Sequence, residues 1–370
     1  MRSSNQIGAV RPKPNRLWIL GIVVLAVGCD GQSQGDFAGF GTDDCNVDAS
    51  LFADGGVGVD GIPALLNPEI VDSGSIDYLE ETSRVIGIVA DGQPIAVPHN
   101  ILWWHEIANF NLDSGPVAVT YCPLTGSSLA FDRSAVGGDT FGVSGLLFKS
   151  NLTMYNRSGS GSLSTASLWP QMNIAASCGP ATAERLPTLP SIEMTWAGWK
   201  ELHPDTQVLS EATGFSSRNY TFYPYGDYEI EDNPSLLVQI EIDQRRPPKE
   251  RVLGVPSGQG GVAYPFGELD ADASSAVVSD VVSGERVVVM WDHGKRAAAA
   301  YLPDANGQQL TFVEQSGQIV DNETGSVWTV DGRASEGDLA GARLIPITDA
   351  YVAFWFAWAA FQPDTEIWVR

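Results

Sequence analysis

The chain has 370 residues, of which 45 are acidic and 21 are basic, giving a formal net charge of −24. A surface this acidic repels phosphate backbones and argues against nucleic acid as a partner. Hydrophobic residues make up 44% of the chain and include 11 tryptophans. That is enough apolar side chain to build folded cores, which excludes a mainly disordered protein.

The N terminus has the layout of a bacterial export signal. Basic residues between Arg2 and Arg16 precede an apolar stretch, residues 17–28, that is shorter than the ~20 residues of a membrane span. Small residues then lead to Cys29, as in the lipobox of bacterial lipoproteins. We therefore expect residues 1–29 to be a lipoprotein signal peptide that ends at Cys29, the lipidated residue; an uncleaved N-terminal anchor is the alternative.

The expected location is periplasmic or at the cell surface, with the membrane as a partner through the lipid anchor. Asp30, directly after Cys29, resembles the retention signal of some Gram-negative lipoproteins and favours the inner membrane in such a host. Residues 30–60 are rich in Gly and Asp and have little hydrophobic periodicity. This composition predicts a tether that holds the folded part away from the bilayer.

Lipidation of Cys29 would leave three cysteines, an odd number for an oxidising compartment. Cys45 lies in the predicted tether and Cys178 in a loop-like segment, so these two are plausible disulfide partners. Cys122 follows a strand-like run and is expected to stay unpaired. A Cys122–Cys178 bond and three reduced thiols are the alternatives.

The sequence contains an internal repeat. The matched pairs, each 159 residues apart, are Trp169 with Trp328, Trp196 with Trp355, Trp199 with Trp358 and Asp205 with Asp364. The spacing predicts two pseudo-repeats, residues 61–210 (the first half) and residues 252–370 (the second half). Residues 211–251 form a Tyr/Asp-rich connection whose aromatic side chains predict that it packs on the folded body.

Within each half, short β-branched runs alternate with Gly and Asp turns, which predicts an α+β fold dominated by strands. Each half is expected to be a mostly antiparallel sheet or a barrel-like unit with one or two helices. The predicted helices are a histidine-bearing one at 100–109, a Trp-rich one at 192–202 and its repeat at 350–361. Few strands are followed by long helices, so a doubly wound parallel sheet is disfavoured.

The residues that could carry chemistry are confined to the first half. His99 aligns with Phe266 of the second half, and Cys122 aligns with Asp292. His105 also has no histidine at its matching position. Because repeated architecture should appear twice and a site need not, these differences predict one asymmetric pocket in the first half, with the second half as its degenerate partner.

The preferred interpretation of this pocket is a thiolate-centred metal or redox site. His99, His105, Cys122 and Met154 would be the metal ligands, and a set of Cys, His and Met suits copper or another soft or borderline metal. A redox or metal-delivery partner would accompany such a site. The presence of a cofactor does not follow from the sequence.

Two alternatives stay open. In the first, the protein is a metal-free, thiol-dependent enzyme with Cys122 as nucleophile, His105 as base and Glu106 nearby, while Gly126 and Ser127 offer backbone amides to a ligand. In the second, the protein is a non-catalytic binding or structural module, in which Cys122 is a small buried hydrophobe and His105 a satisfied core residue. Whether the protein is an enzyme stays undecided.

Several motifs in order, among them WWHEIAN, VAVTYCPLTGSSLAFDR, SLWPQ, WKELHPDT and FWFAWAAFQPDTE, resemble the bacterial family known as domain of unknown function 3179. The resemblance extends from about Asp60 to Arg370. It implies an exported or lipid-anchored bacterial protein with no assigned reaction. The residues that carry the family pattern are His105, Glu106, Cys122, Gly126 and Ser127. Thr125 stands where some members have Cys, which argues against a dithiol in this protein.

Overall fold

Strands predominate in the fold, and its helices are short and few. The computed structural model describes residues 39–41, 44–237, 240–258 and 260–370. The predicted signal peptide, with Cys29, lies outside these residues. The sheets of the described part are open and mainly antiparallel. The strand-dominated class is therefore confirmed, and the barrel-like alternative is wrong.

The α-helices of the described residues are α1 (His99–His105), α2 (Trp196–Leu202), α3 (Phe266–Leu269) and α4 (Trp355–Phe361). Short 3-10 helices lie at Ala49–Leu51, Ser73–Ser75, Arg133–Val136, Leu163–Thr165 and Gln171–Asn173. Within the part of the chain that the structure describes, no helix is both long and apolar enough to cross a membrane.

The strands up to residue 209 are β1 (Phe52–Asp54), β2 (Leu65–Leu66), β3 (Ile70–Asp72), β4 (Arg84–Ala90), β5 (Gln93–Pro98), β6 (Ile107–Leu112), β7 (Gly115–Cys122), β8 (Ser127–Asp132), β9 (Phe141–Phe148), β10 (Asn151–Asn156), β11 (Leu168–Pro170), β12 (Thr188–Leu189), β13 (Ile192–Thr195) and β14 (Gln207–Leu209). The strands of the second half, with one residue more at its start, are β15 (Arg251–Ser257), β16 (Gly260–Pro265), β17 (Ala276–Val282), β18 (Glu285–Asp292), β19 (Ala297–Leu302), β20 (Asp304–Ala305), β21 (Gln308–Gln309), β22 (Phe312–Gln315), β23 (Gln318–Asp321), β24 (Val327–Trp328), β25 (Ala334–Glu336), β26 (Ile345–Pro346), β27 (Tyr351–Phe354) and β28 (Glu366–Ile367).

The helices are shorter than the sequence predicts. Helix α1 ends at His105 because Glu106 adopts a positive φ of 57°, while its N–H still bonds to the Leu102 carbonyl. The chain then enters β6, so the prediction of helix as far as Asn109 is wrong. The two Trp-rich helices begin only at Trp196 and Trp355, since the residues before them pair as strands β13 and β27.

The two halves contain sheets of matching order. In the first half, β13, β4, β5 and β14 lie side by side, and in the second half β27, β15, β16 and β28 do the same. In both sheets the central hairpin is antiparallel, the strand before the Trp-rich helix joins antiparallel, and the strand after the helix joins parallel. Each half also holds an antiparallel meander, β6–β7–β8 and β17–β18–β19.

A tryptophan from each Trp-rich helix lies directly on a glycine of the central hairpin. A Cβ added to Gly87 would come within 2.1 Å of the Trp199 ring, and one added to Gly254 within 2.1 Å of the Trp358 ring. Both indole N–H groups donate to a threonine of the helix exit. The distances are 2.7 Å from Trp199 Nε1 to Thr206 Oγ1 and 2.9 Å from Trp358 Nε1 to Thr365 Oγ1.

The halves contact each other reciprocally. The N–H of Phe354, at the start of α4, donates to the carbonyl of Thr125 in the β7–β8 turn at 2.8 Å. The N–H of Thr195, at the start of α2, donates to the carbonyl of Lys295 in the β18–β19 turn at 3.0 Å. Each half thus inserts a hairpin turn against the helix start of the other, and the hydrophobic cores contain side chains from both halves.

The folded part begins before residue 61. Cys45 forms a disulfide with Cys178, and β1 pairs with β9. The carboxylate of Asp60 accepts hydrogen bonds from Tyr155 and Arg157, both at 2.6 Å. The described end of the predicted tether is therefore attached to the body. Cys122 is free and buried, so its predicted unpaired state is confirmed.

The connection between the halves packs on the first half. Tyr220 and Tyr228 are buried, and the Tyr228 hydroxyl donates to the Leu124 carbonyl at 2.8 Å. The Asn100 amide of α1 donates to the Tyr220 carbonyl, also at 2.8 Å. Lys249 lies over the Tyr228 ring and donates to its carbonyl. The connection therefore covers α1 and the turn after Cys122.

Candidate functional site

The predicted Cys/His pocket separates into distinct environments. His99 and His105 stand at the first and last positions of α1, and Cys122 is the last residue of β7. Met154 lies on β10, in the same hydrophobic core as Cys122. Among the described residues, no group of three or more His, Cys, Asp or Glu side chains is arranged to hold a metal ion.

His105 is held by two hydrogen bonds that occupy both ring nitrogens. Its Nδ1 lies 2.7 Å from the Pro63 carbonyl, which can only accept, so Nδ1 carries the proton. Its Nε2 lies 2.8 Å from the Tyr220 hydroxyl, which therefore donates to it. Burial lowers the pKa of His105 to about 4, which keeps the ring neutral. With both nitrogens engaged, His105 is not placed to take a proton from Cys122.

His99 belongs to a buried ion-pair network. Its ring stacks on Tyr121 at a centroid distance of 3.9 Å, and its Nε2 lies 3.5 Å from the Glu193 carboxylate. Burial lowers the pKa of His99, against the opposing effect of Glu193. The carboxylate of Glu193 also contacts Arg84 at 2.5 Å and Arg251 at 3.4 Å. His99 thus contributes to the junction of the halves.

Cys122 is a buried, protonated thiol. It is fully buried, and the Leu152 N–H points to its sulfur at 3.4 Å. Burial, with a smaller contribution from the nearby Glu106, raises the pKa of Cys122 to about 11, against weaker opposing hydrogen bonds from Thr125 and Leu152. A thiolate needs a cation or a base to form at neutral pH. These surroundings do not fit a copper centre or an activated nucleophile.

Glu106 is the most unusual of the predicted site residues. It is 5% exposed, and its carboxyl group has no hydrogen-bond or ion-pair partner in the described part of the chain. Burial raises its pKa to about 8. At neutral pH the side chain is therefore a carboxylic acid rather than a carboxylate, which is unsuited to orienting a protonated base.

Gly126 and Ser127 form a closed turn. The positive φ of Gly126, 59°, and the Phe354 ring against it leave no space for a side chain at this position. Ser127 donates to Gln171 at 2.6 Å, and Asn151 donates to Gln171 at 2.9 Å. This buried network of hydroxyl and amide groups joins β8 to β10. The two residues serve the packing of the turn.

A cleft of about 520 Å³ lies elsewhere, between the halves. The first half contributes β4, β13 and α2, and the second half contributes β15, β19 and β27. Much of the lining is apolar, including Ile88, Leu253, Ala299 and Val352. Val89, which is 49% exposed, lies at its edge. Clefts of this size and character commonly hold small molecules.

Three residues that line the cleft have buried polar atoms without hydrogen-bond partners among the described residues. They are His203 at Nε2, Asp331 at Oδ2 and Tyr351 at its hydroxyl. The His203 and Asp331 atoms lie 3.5 Å apart, and both side chains are 7% exposed. Burial lowers the pKa of His203, against the opposing effect of Asp331. The imidazole is therefore neutral, and the pair can still accept a ligand's polar group.

Glu193 and Ser128 also line the cleft. The Ser128 hydroxyl donates to Glu193 at 3.0 Å. Burial alone would raise the pKa of Glu193, but Arg84, His99 and Arg251 hold it well below its usual range. Glu193 is thus a charged carboxylate whose charge is already compensated within the protein.

The sequence did not reveal the cleft, although one signal was present. His203 closes α2, since its N–H bonds to the Trp199 carbonyl. Gln362 makes the same bond to Trp358 at the end of α4. The exchange of His for Gln at otherwise matched helix ends was the sequence signal that could have indicated the cleft. Asp331 gave no such signal.

These features define a mostly β protein with two halves of matching sheet order and a cleft between them. The chain belongs to the family described as Protein of unknown function (DUF3179), whose sequence profile matches residues 59–365. The predicted resemblance is therefore confirmed. Neither the curated proteins nor the solved structures contain a significant match to the chain.

Proposed function

We propose that this protein binds a small, mainly apolar molecule in the cleft between its halves. The observation that carries the proposal is the combination of an apolar cleft of about 520 Å³ with unpartnered polar atoms on His203, Asp331 and Tyr351. A buried polar atom without a partner costs free energy. A bound molecule that supplied the missing hydrogen-bond partners would recover that free energy. Water could supply such partners, but it would not fill the apolar part of the cleft favourably.

We further propose that the halves are two fused pseudo-repeats and that the cleft belongs to only one of two equivalent positions. The matched sheets and the reciprocal bonds of Phe354 and Thr195 support this. Reciprocal contacts of this kind are typical of a two-fold dimer interface. At the other position Gln362 replaces His203.

The proposed location is outside the cytoplasm, on a lipid anchor at Cys29. Support comes from the export-like N terminus and from the Cys45–Cys178 disulfide, since disulfides persist in oxidising compartments. A binding protein on the membrane surface would hold its ligand where an apolar molecule enters or leaves the bilayer.

The test is binding of the fluorescent apolar probe N-phenyl-naphthylamine to the purified protein. We expect saturable binding, weakened about tenfold or more by Ala299→Trp, because the indole would fill the cleft. Ala271→Trp, at an exposed position outside the lining, is the matched control and should bind like the unchanged protein. Absent binding, or equal binding by the two variants, would contradict the proposal.

A further inference from the structure

We infer that the ligand of the cleft is uncharged and that its apolar body carries a hydroxyl group. This inference rests on the proposed binding function and adds the chemical class of the molecule. It comes from the hydrogen-bonding capacity of the polar groups that line the cleft and from the balance of charge around them.

The polar groups call for a ligand atom that both donates and accepts. Asp331 Oδ1 already accepts from the Thr329 hydroxyl at 2.5 Å, which leaves Oδ2 to accept from a ligand. A carboxylate oxygen cannot donate, so the ligand must. The neutral His203 ring, 3.5 Å away, can donate from Nε2. A hydroxyl group satisfies both atoms, because it has one proton and two lone pairs.

The charges of the lining are already compensated. Glu193 is paired with Arg84 and Arg251, and Asp331 has Arg343 at 3.8 Å. Arg343 also lines the cleft and is 53% exposed, so a charged ligand group of either sign would meet both this cation and the Asp331 anion, and its charge would have no counter-ion of its own. Burying such a charge is costly, whereas a hydrogen-bonded neutral hydroxyl is not.

The lining also suits a ring system. Trp199 and Tyr301 line the cleft, and the unpartnered Tyr351 hydroxyl lies on the same lining. Aromatic side chains pack favourably against flat apolar bodies. Naphthalene derivatives are therefore suitable probes, since the same ring can carry different polar groups.

The experiment compares four probes on the full chain: naphthalenemethanol, naphthylmethylamine, naphthoate and methylnaphthalene. Each competes with N-phenyl-naphthylamine at neutral pH. We expect naphthalenemethanol to bind about tenfold more tightly than methylnaphthalene, and the two charged compounds to bind no better than methylnaphthalene. Asp331→Asn should reduce the preference for the alcohol to about twofold, because the remaining amide oxygen is a weaker acceptor than a carboxylate and is occupied by the Thr329 hydroxyl.

Asp338→Asn, at an exposed position, is the matched control and should keep the full preference. Circular dichroism of both variants shows whether they are folded, and His203→Gln, which copies the residue at the equivalent position of the second half, gives a second measure of the same preference. Tighter binding of the amine or the carboxylate, an unchanged preference in Asp331→Asn, or binding of N-phenyl-naphthylamine without competition by any of the four compounds would overturn the inference and leave the binding function intact. Failure of every probe to bind would overturn both.

Discussion

Glu106 shows how strongly burial determines the chemistry of a single residue. In sequence it stands beside His105 and looks like an orienting carboxylate, yet the fold gives it neither a cation nor a hydrogen-bond donor among the described residues. An acid in such surroundings retains its proton to a higher pH. The residue should therefore affect how the stability of the fold depends on pH.

We expect Glu106→Gln to change that pH dependence. The unfolded side chain ionises near 4.5, whereas the folded one stays protonated up to about 8. Its contribution to stability is complete below 4.5 and is lost as pH rises to about 8. The free energy of unfolding of the variant should therefore rise relative to the unchanged protein by roughly 5 kcal/mol across that window.

Urea denaturation at several pH values measures this difference. Glu336→Gln changes an exposed carboxylate and should give a difference that does not vary with pH. A constant offset for Glu106→Gln as well would show that Glu106 is ionised in the folded protein.

For single residues, the sequence predicted disulfide pairing better than it predicted protonation states or hydrogen-bond partners. That Cys122 stays unpaired followed from the parity of the cysteines and from its strand-like context. The sequence did not predict that Cys122 is a neutral thiol, because this follows from its burial in the fold. It also did not predict that His105 bonds to Pro63 and Tyr220, which lie more than 40 positions away in the chain. No local pattern encodes such partners.

The Trp-rich helices and the hairpins beneath them are the elements that the two halves share most closely. Trp199 on Gly87 and Trp358 on Gly254 form equal contacts. We expect Gly87→Ala and Gly254→Ala each to destabilise the protein by about 3 kcal/mol, because the added methyl group overlaps an immobile buried ring.

Gly74→Ala, where an added Cβ meets nothing within 4 Å, should have almost no effect on the urea midpoint. If Gly87→Ala and Gly254→Ala differed greatly from each other, the two contacts would not be energetically equivalent, and the proposed repeat would lose its main structural support.

Element positions followed from the sequence wherever strands alternate with Gly and Asp turns, and the 159-residue spacing of the tryptophans located the Trp-rich helices. Element ends did not follow. Residues 192–195 read as helix because they continue into an apolar helical pattern, but pairing of β13 with β4 overrides that local preference. The positive φ of Glu106, which ends α1, has no sequence signal of the kind that glycine gives.

For the whole molecule, the Cys45–Cys178 disulfide closes a segment with a sequence separation of 133 residues. We expect the double variant Cys45→Ser with Cys178→Ser to lose about 5 kcal/mol of stability on the chain-entropy account. Dithiothreitol should lower the urea midpoint of the unchanged protein to about that of the double variant. It should have no effect on the urea midpoint of the double variant itself.

Cys122→Ala is the control, since it should retain the full sensitivity to dithiothreitol. Equal stability of the oxidised and reduced protein would show that the N-terminal segment contributes little to the folded state.

The cleft was the part of the molecule least accessible from sequence. Its walls come from β4 and α2 of one half and from β19 and β27 of the other, so its lining depends on how the halves are placed and not on any local motif. The histidines and the cysteine of the first half predicted a site at α1 and β7, but the connection covers α1 and the turn after β7. Residue type alone did not distinguish a buried structural histidine from one that lines a cavity.

The ion-pair network at Glu193 has a consequence for how this sequence can evolve. One carboxylate contacts two arginines, Arg84 from the first half and Arg251 at the start of the second. Loss of Glu193 alone would leave two partly buried arginines without their shared carboxylate. Loss of either arginine would leave the Glu193 charge less well compensated. Substitutions at these three positions are therefore epistatic, and a lineage can leave this arrangement only by changes that occur together.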